Sequence, residues 1–230
     1  NLSHPDAVEA VARAYVEAGS DIILTNTFRS NRVALAGHGL AEKVVALNRA
    51  GVEIARRAAG SRARVFASVG PSGKLLMMGE TSEAELSQAF AEQARALAEA
   101  GADGIVVETM SDLAEAKLAL AAAQATGLPV AVSMVFDSGK DKDRTMMGPT
   151  PEQAARELAS AGADIVGANC GQGIAGYVAV CRRLRASTDR PIWIKPNAGL
   201  PEMIEGRAVY RTTPEEFAGY ARALVEVEAD

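Results

Sequence analysis

Thiol and imidazole groups are scarce in this chain. Two cysteines in 230 residues cannot build a disulfide framework, so the default setting is a reducing compartment, and the cytoplasm is expected. The two histidines, His4 and His38, lie at a helix start and in the loop "AGHGLAEK", and neither is spaced to complete a metal site. No apolar run approaches the roughly 20 residues of a membrane helix. The opening residues Asn1 to Pro5 do not read as a signal peptide. A formal net charge of -5 gives no basic face for nucleic acid. There is also no GxGxxG turn after a first strand, the usual place of the dinucleotide fingerprint.

What is present is an alternation of short apolar runs and Ala-rich helical stretches, with apolar residues making up 48% of the chain. Residues 21–28, 64–71, 103–109, 129–136, 164–170 and 191–197 read as buried strands. Helices are expected over 7–18, 41–59, 83–100, 112–126, 151–161, 174–186 and 214–226, the first capped by Ser3. Thr150-Pro151 and Thr213-Pro214 place a cap residue before proline at the first helical position. Continuous apolar strands imply a parallel sheet covered on both faces, which fits a doubly wound sheet or a (β/α)8 barrel.

Repetition favours the barrel. "EAGSDIILTNT", "EAGADGIVVET" and "SAGADIVGANC" are one phrase used three times: a helix ends at Ala-Gly, Asp opens a strand, and polar groups stand where it stops. Six strands are visible where a barrel has eight. The expectation is therefore an α/β (β/α)8 TIM barrel lacking its first and last strands, trimmed at both ends. No linker or composition shift divides residues 1–230, which read as one domain.

In a parallel barrel the chemistry gathers at the carboxyl ends of the strands. Those ends carry Thr25-Asn26-Thr27, Ser68, Glu108-Thr109, Ser133, Asn169-Cys170 and Lys195-Pro196-Asn197. Cys170 is either a buried small hydrophobe or a thiolate, and the helix start that follows its Gly-rich turn favours the thiolate. Cys181, inside a helix, reads as core. Glu108 is the carboxylate within the last residues of an apolar strand, placed to bind an ammonium group, act as a base, or form a structural ion pair; Asp137 falls just past its strand. Lys195 is a candidate for Schiff-base chemistry, an anion anchor, or plain surface.

The ordered motifs "GSDIILTNTF", "SVGPSGKLL", "GADGIVVETM", "GANC" and "IKPNAGLP" resemble the homocysteine S-methyltransferase family, and the likeness spans the whole chain. The "KPNAG" turn and "EGRAVYRTTPEEF" lean toward its methionine-synthase-like branch. The resemblance implies a (β/α)8 barrel that transfers a methyl group to the sulfur of L-homocysteine, activated by zinc. The methyl donor would be methylcobalamin or another co-substrate, with a cobalamin-binding domain or subunit as partner. Zinc in the family is held by one cysteine of a G-[AV]-N-C motif and two of a G-G-C-C-G motif. Cys170 matches the first; the pair has no match in residues 1–230. Asn197 is implied to approach the metal when substrate is absent. Glu108 is implied to hold the substrate ammonium; Asn26 and Ser68, at two other strand ends, are expected as further substrate contacts. The alternatives are a metal-free barrel using Lys195, or a non-catalytic relative that binds without transferring.

Overall fold

The structure, a computed structural model, describes all residues from Asn1 to Asp230. In chain order the elements are α1 (Pro5–Glu17), β1 (Ile22–Leu24), α2 (Arg32–Ala36), α3 (Val44–Ala59), β2 (Arg64–Val69), α4 (Glu83–Glu99), β3 (Gly104–Met110) and α5 (Leu113–Gln124). There follow β4 (Val130–Met134), α6 (Pro151–Ser160), β5 (Ile165–Cys170), α7 (Tyr177–Arg185), β6 (Ile192–Pro196), β7 (Glu202–Ile204), β8 (Arg207–Val209) and α8 (Pro214–Glu226). Every expected strand and helix is present, with ends displaced by a few residues.

β1 to β6 hydrogen-bond in chain order within one six-stranded sheet. That order decides between the two architectures the sequence allowed. A doubly wound sheet reverses its strand order at a switch point, whereas a barrel adds each new strand on the same side. The order here never reverses, so the topology is that of the barrel, with six of its strands.

The chain forms two compact units, the first comprising Asn1–Glu108 and Ala114–Val130, the second Thr109–Leu113 and Ala131–Asp230. In the first, β1 pairs with β2 and β2 with β3 in parallel register. Val16, Ile23, Ala55, Ala58, Ala59 and Val65 make one of its apolar clusters, joining α1, β1, α3 and β2. In the second, β4 pairs with β5 and β5 with β6, again in parallel. All five residues of β4 and the four central residues of β5 are buried, as strands covered on both faces require. Gly167 of β5 lies against Trp193 so closely that a Cβ there would stand 1.9 Å from the Trp193 carbonyl oxygen.

The repeated phrase acquires a physical reason. The Asp103 N–H donates to the Val65 carbonyl at 2.8 Å while its carboxylate accepts from the Val65 N–H at 2.7 Å, a two-point clamp on the start of β2. Asp230 repeats the clamp on Ile192 at the start of β6, at 3.1 and 2.9 Å.

Some local expectations are corrected. The cap of α1 is His4, not Ser3: Pro5 takes the first helical position, and the Ser3 hydroxyl pairs with the His4 ring instead. α2 was not foreseen; the Asn31 side chain starts it by accepting from the Ala34 N–H at 2.8 Å. The antiparallel β7–β8 hairpin was also not foreseen. Its turn residues Glu205 and Gly206 have φ of 49° and 78°, the pair of positive angles that a tight hairpin turn uses. No helix is long and apolar enough to cross a membrane.

Candidate functional site

Two polar clusters stand at strand ends, one in each unit. In the first unit the chain turns after β1, and Thr25 and Thr27 fold inward, both buried. Their hydroxyls pair at 2.5 Å; Thr25 Oγ1 accepts from the Ser68 N–H at 3.0 Å, and Thr27 Oγ1 donates to the Ser68 carbonyl at 2.7 Å. Ser68, near the end of β2, is thereby gripped on both backbone groups. Its own hydroxyl donates to Glu108 Oε1 at 2.6 Å. Glu108 is only 5% exposed, so this charge-assisted bond lies in a poorly hydrated setting. Nearby, the Ser72 N–H donates to buried Glu115 at 2.7 Å. Asn26 stands apart: its side chain is exposed and donates to Asn1 Oδ1 at 3.2 Å. Of the expected substrate contacts, Ser68 and Glu108 are brought together and Asn26 is not.

In the second unit Asn169 is the centre. Fully buried, it accepts at Oδ1 from the Thr109 N–H at 2.8 Å and the Ser133 hydroxyl at 2.5 Å. Its amide nitrogen donates to Thr109 Oγ1 at 2.7 Å and to Cys170 Sγ at 3.2 Å. Thr109 Oγ1 lies 3.5 Å from the same sulfur. Cys170 is half-buried with these polar groups against its sulfur, and Cys181 is the buried cysteine. Burial pushes the Cys181 thiol above its ordinary range, so it stays a protonated core residue. The backbone at Cys170 and at Thr109 is left-handed, with φ of 61° and 62°.

The "GANCGQG" turn is held from two sides. The Tyr177 hydroxyl, at the start of α7, donates to the Asn169 carbonyl at 2.6 Å. Burial, then the charges of Cys170 and Asp137, push the Tyr177 phenol well above its usual pKa, so it remains a donor. The Asn197 N–H donates to the Cys170 carbonyl at 3.0 Å, and its side-chain amide to the Gly171 carbonyl at 3.0 Å. Asn197 is thus brought against the cysteine turn. Lys195 is exposed on β6. His4 and His38 are exposed in the first unit, at the start of α1 and in the loop after α2.

No three His, Cys, Asp or Glu side chains gather closely enough to hold a metal ion. A zinc site takes three or four protein ligands. Cys170 offers one sulfur, so the residues of this chain do not by themselves build a zinc centre.

Sequence reasoning missed Tyr177, Gln93 and Asn48. Gln93 was detectable: it falls on the stripe Leu86, Phe90, Leu97 of α4, where a polar residue must find buried partners. Tyr177 carried no periodic signal, because its role comes from a turn it meets in three dimensions.

A (β/α)-barrel topology with polar clusters at the carboxyl ends of its strands is the arrangement on which barrel enzymes build their sites. The profile of the homocysteine S-methyltransferase family matches residues 1–230, and the chain belongs to that family. It is 31% identical to the methionine synthase of Mycobacterium leprae and 33% identical to that of Mycobacterium tuberculosis, with 95% of the chain covered in each case. It spans 19% of the length of each of those relatives. The fold is also that of the homocysteine methyltransferase MmuM from Escherichia coli in its metallated form, with a TM-score of 0.80 at 22% identity over 99% of this chain and 79% of that one.

Proposed function

We propose that this chain forms the homocysteine-binding part of an enzyme that transfers a methyl group to the sulfur of L-homocysteine, giving methionine. The observation that carries the reading is Cys170, a half-buried sulfur at the end of β5 with the Asn169 amide and Thr109 hydroxyl directed at it. Glu108 is the second element. A buried carboxylate held by a serine hydroxyl is suited to receive the ammonium group of an amino acid and fix its orientation.

Zinc belongs to this proposal as the family's metal, with Cys170 as one ligand and Asn197 beside it in the substrate-free state. The remaining donors are not among the residues of this chain. The methyl donor belongs to it as well: methylcobalamin or another co-substrate, supplied by a cobalamin-binding domain or subunit, in keeping with the likeness to methionine synthases.

The test uses the full-length protein. Cys170→Ser is expected to lose most of its bound zinc and more than about 100-fold of its methyl transfer to homocysteine, since an alcohol is a far poorer metal ligand than a thiolate. Unchanged zinc content and unchanged rate in the folded variant would reject the assignment. The Schiff-base alternative has less support, because Lys195 is exposed whereas an amine activated for that chemistry is desolvated or set beside another cation.

A further inference from the structure

The β1 end that grips Ser68 is itself held from behind. Gln93 of α4 is fully buried, and its side-chain amide donates to the Thr27 carbonyl at 2.9 Å and to Asn48 Oδ1 at 3.2 Å. Asn48 of α3, also fully buried, spends both of its N–H groups on the Ser30 carbonyl at 2.9 Å and the Val44 carbonyl at 2.8 Å. The orientation is forced. Turned over, Gln93 would aim an oxygen at two acceptors, and its freed nitrogen would point where Gln93 Oε1 now finds no partner. Two amides from two helices thus tie down the segment Thr27–Ser30. The hydroxyl of Thr27 grips the Ser68 carbonyl, and Ser68 donates to Glu108.

We infer that Gln93, backed by Asn48, is a positioning residue for the Glu108 carboxylate and so a determinant of selectivity for thiols that carry an ammonium group. It touches no substrate. It acts through Thr27 and Ser68, and a tilt of a hydrogen-bonded carboxylate in a buried setting is felt strongly by a cation placed against it. The inference rests on the proposed role of Glu108 as the ammonium partner.

The experiment measures, for the full-length enzyme, kcat/KM with homocysteine and with 4-sulfanylbutanoate, which is homocysteine without its amino group. The ratio of the two reads the ammonium contact alone, and a general loss of folded enzyme leaves it unchanged. Glu108→Gln tests the underlying reading and is expected to lower the ratio about tenfold or more. Gln93→Met, which removes the donor at similar volume, and Thr27→Val, which cuts the same chain at its middle link, are expected to lower it about three- to tenfold. Both are expected to act through KM for homocysteine, with kcat nearly unchanged. A wild-type ratio in Glu108→Gln would overturn the reading of Glu108, and the inference with it. A lowered ratio in Glu108→Gln beside a wild-type ratio in folded Gln93→Met or Thr27→Val would overturn the inference alone. Should Gln93→Met fail to fold, the near-isosteric Thr27→Val decides.

Discussion

Cys170 and Thr109 both keep a left-handed backbone that glycine adopts without strain and other residues adopt at a cost of about 1 kcal/mol or more. Strain retained at two residues joined by one asparagine suggests that their side chains matter more there than backbone ease. Cys170→Gly is therefore expected to be more stable than Cys170→Ala by about 1 kcal/mol and to unfold at a higher temperature, although both lack the thiol. Calorimetry of the pair checks this, and equal stability would mean the turn has relaxed. Gly171 gives the reverse case. Its φ is 67°, and a Cβ would stand 2.7 Å from the Tyr177 hydroxyl oxygen. Gly171→Ala is expected to cost about 2 kcal/mol and to displace the tyrosine from the Asn169 carbonyl.

Among the elements, β5 is set by close approach and α8 by its cap. Gly167→Ala would drive a methyl group into the Trp193 carbonyl, a backbone atom that cannot swing aside. The expected cost is about 3 kcal/mol, read as a lowered denaturation midpoint with an unchanged denaturant slope. α8 begins with a capping box: the Thr213 hydroxyl accepts from the Glu216 N–H at 3.2 Å, and the Glu216 carboxylate accepts from the Thr213 N–H at 3.0 Å. Thr213→Ala should cost about 1 kcal/mol, with faster amide exchange confined to the first turn of α8.

For the molecule as a whole, one contribution to the response to acid has a definite origin in the second unit. Arg183 forks onto both oxygens of Glu152, at 2.5 and 2.9 Å, and reaches Asp143 at 2.5 Å, tying the loop after β4 to α6 and α7. The Arg183 bonds hold the Glu152 carboxyl at about 2, below its ordinary 4.5. A carboxyl depressed in the folded state adds stability above its unfolded pKa and loses it as pH falls toward the folded value. The stability gap between wild type and Arg183→Gln is therefore expected to be full above about pH 5 and to close as pH falls to about 2. Melting temperatures across that window measure it. Partial exposure of the pair keeps the gap small, and a gap independent of pH would show that packing, not charge, is what Arg183 supplies.

The sequence alone determined the alternation of strands and helices, the strand ends as the place for polar groups, and the distinction between Cys170 and Cys181. All of these follow from local rules: apolar runs of strand length, glycine after helices, proline at helix starts, and a cysteine followed by a turn rather than enclosed in a helix. The recurring Ala-Gly-x-Asp phrase was visible too, but its purpose was not, because Asp103 clamps Val65, which lies 38 residues earlier. The same limit hid the exposure of Asn26 and the grip of Thr25 and Thr27 on Ser68. Adjacent strand residues point to opposite faces, and one residue of turn decides whether Asn26 or its two threonine neighbours face inward. The repeated strand-helix phrase favoured the barrel, and the tertiary structure fixed it through a strand order that never reverses. The order itself depends on which strand each helix returns to, a contact between distant residues, so repetition could favour it but not fix it.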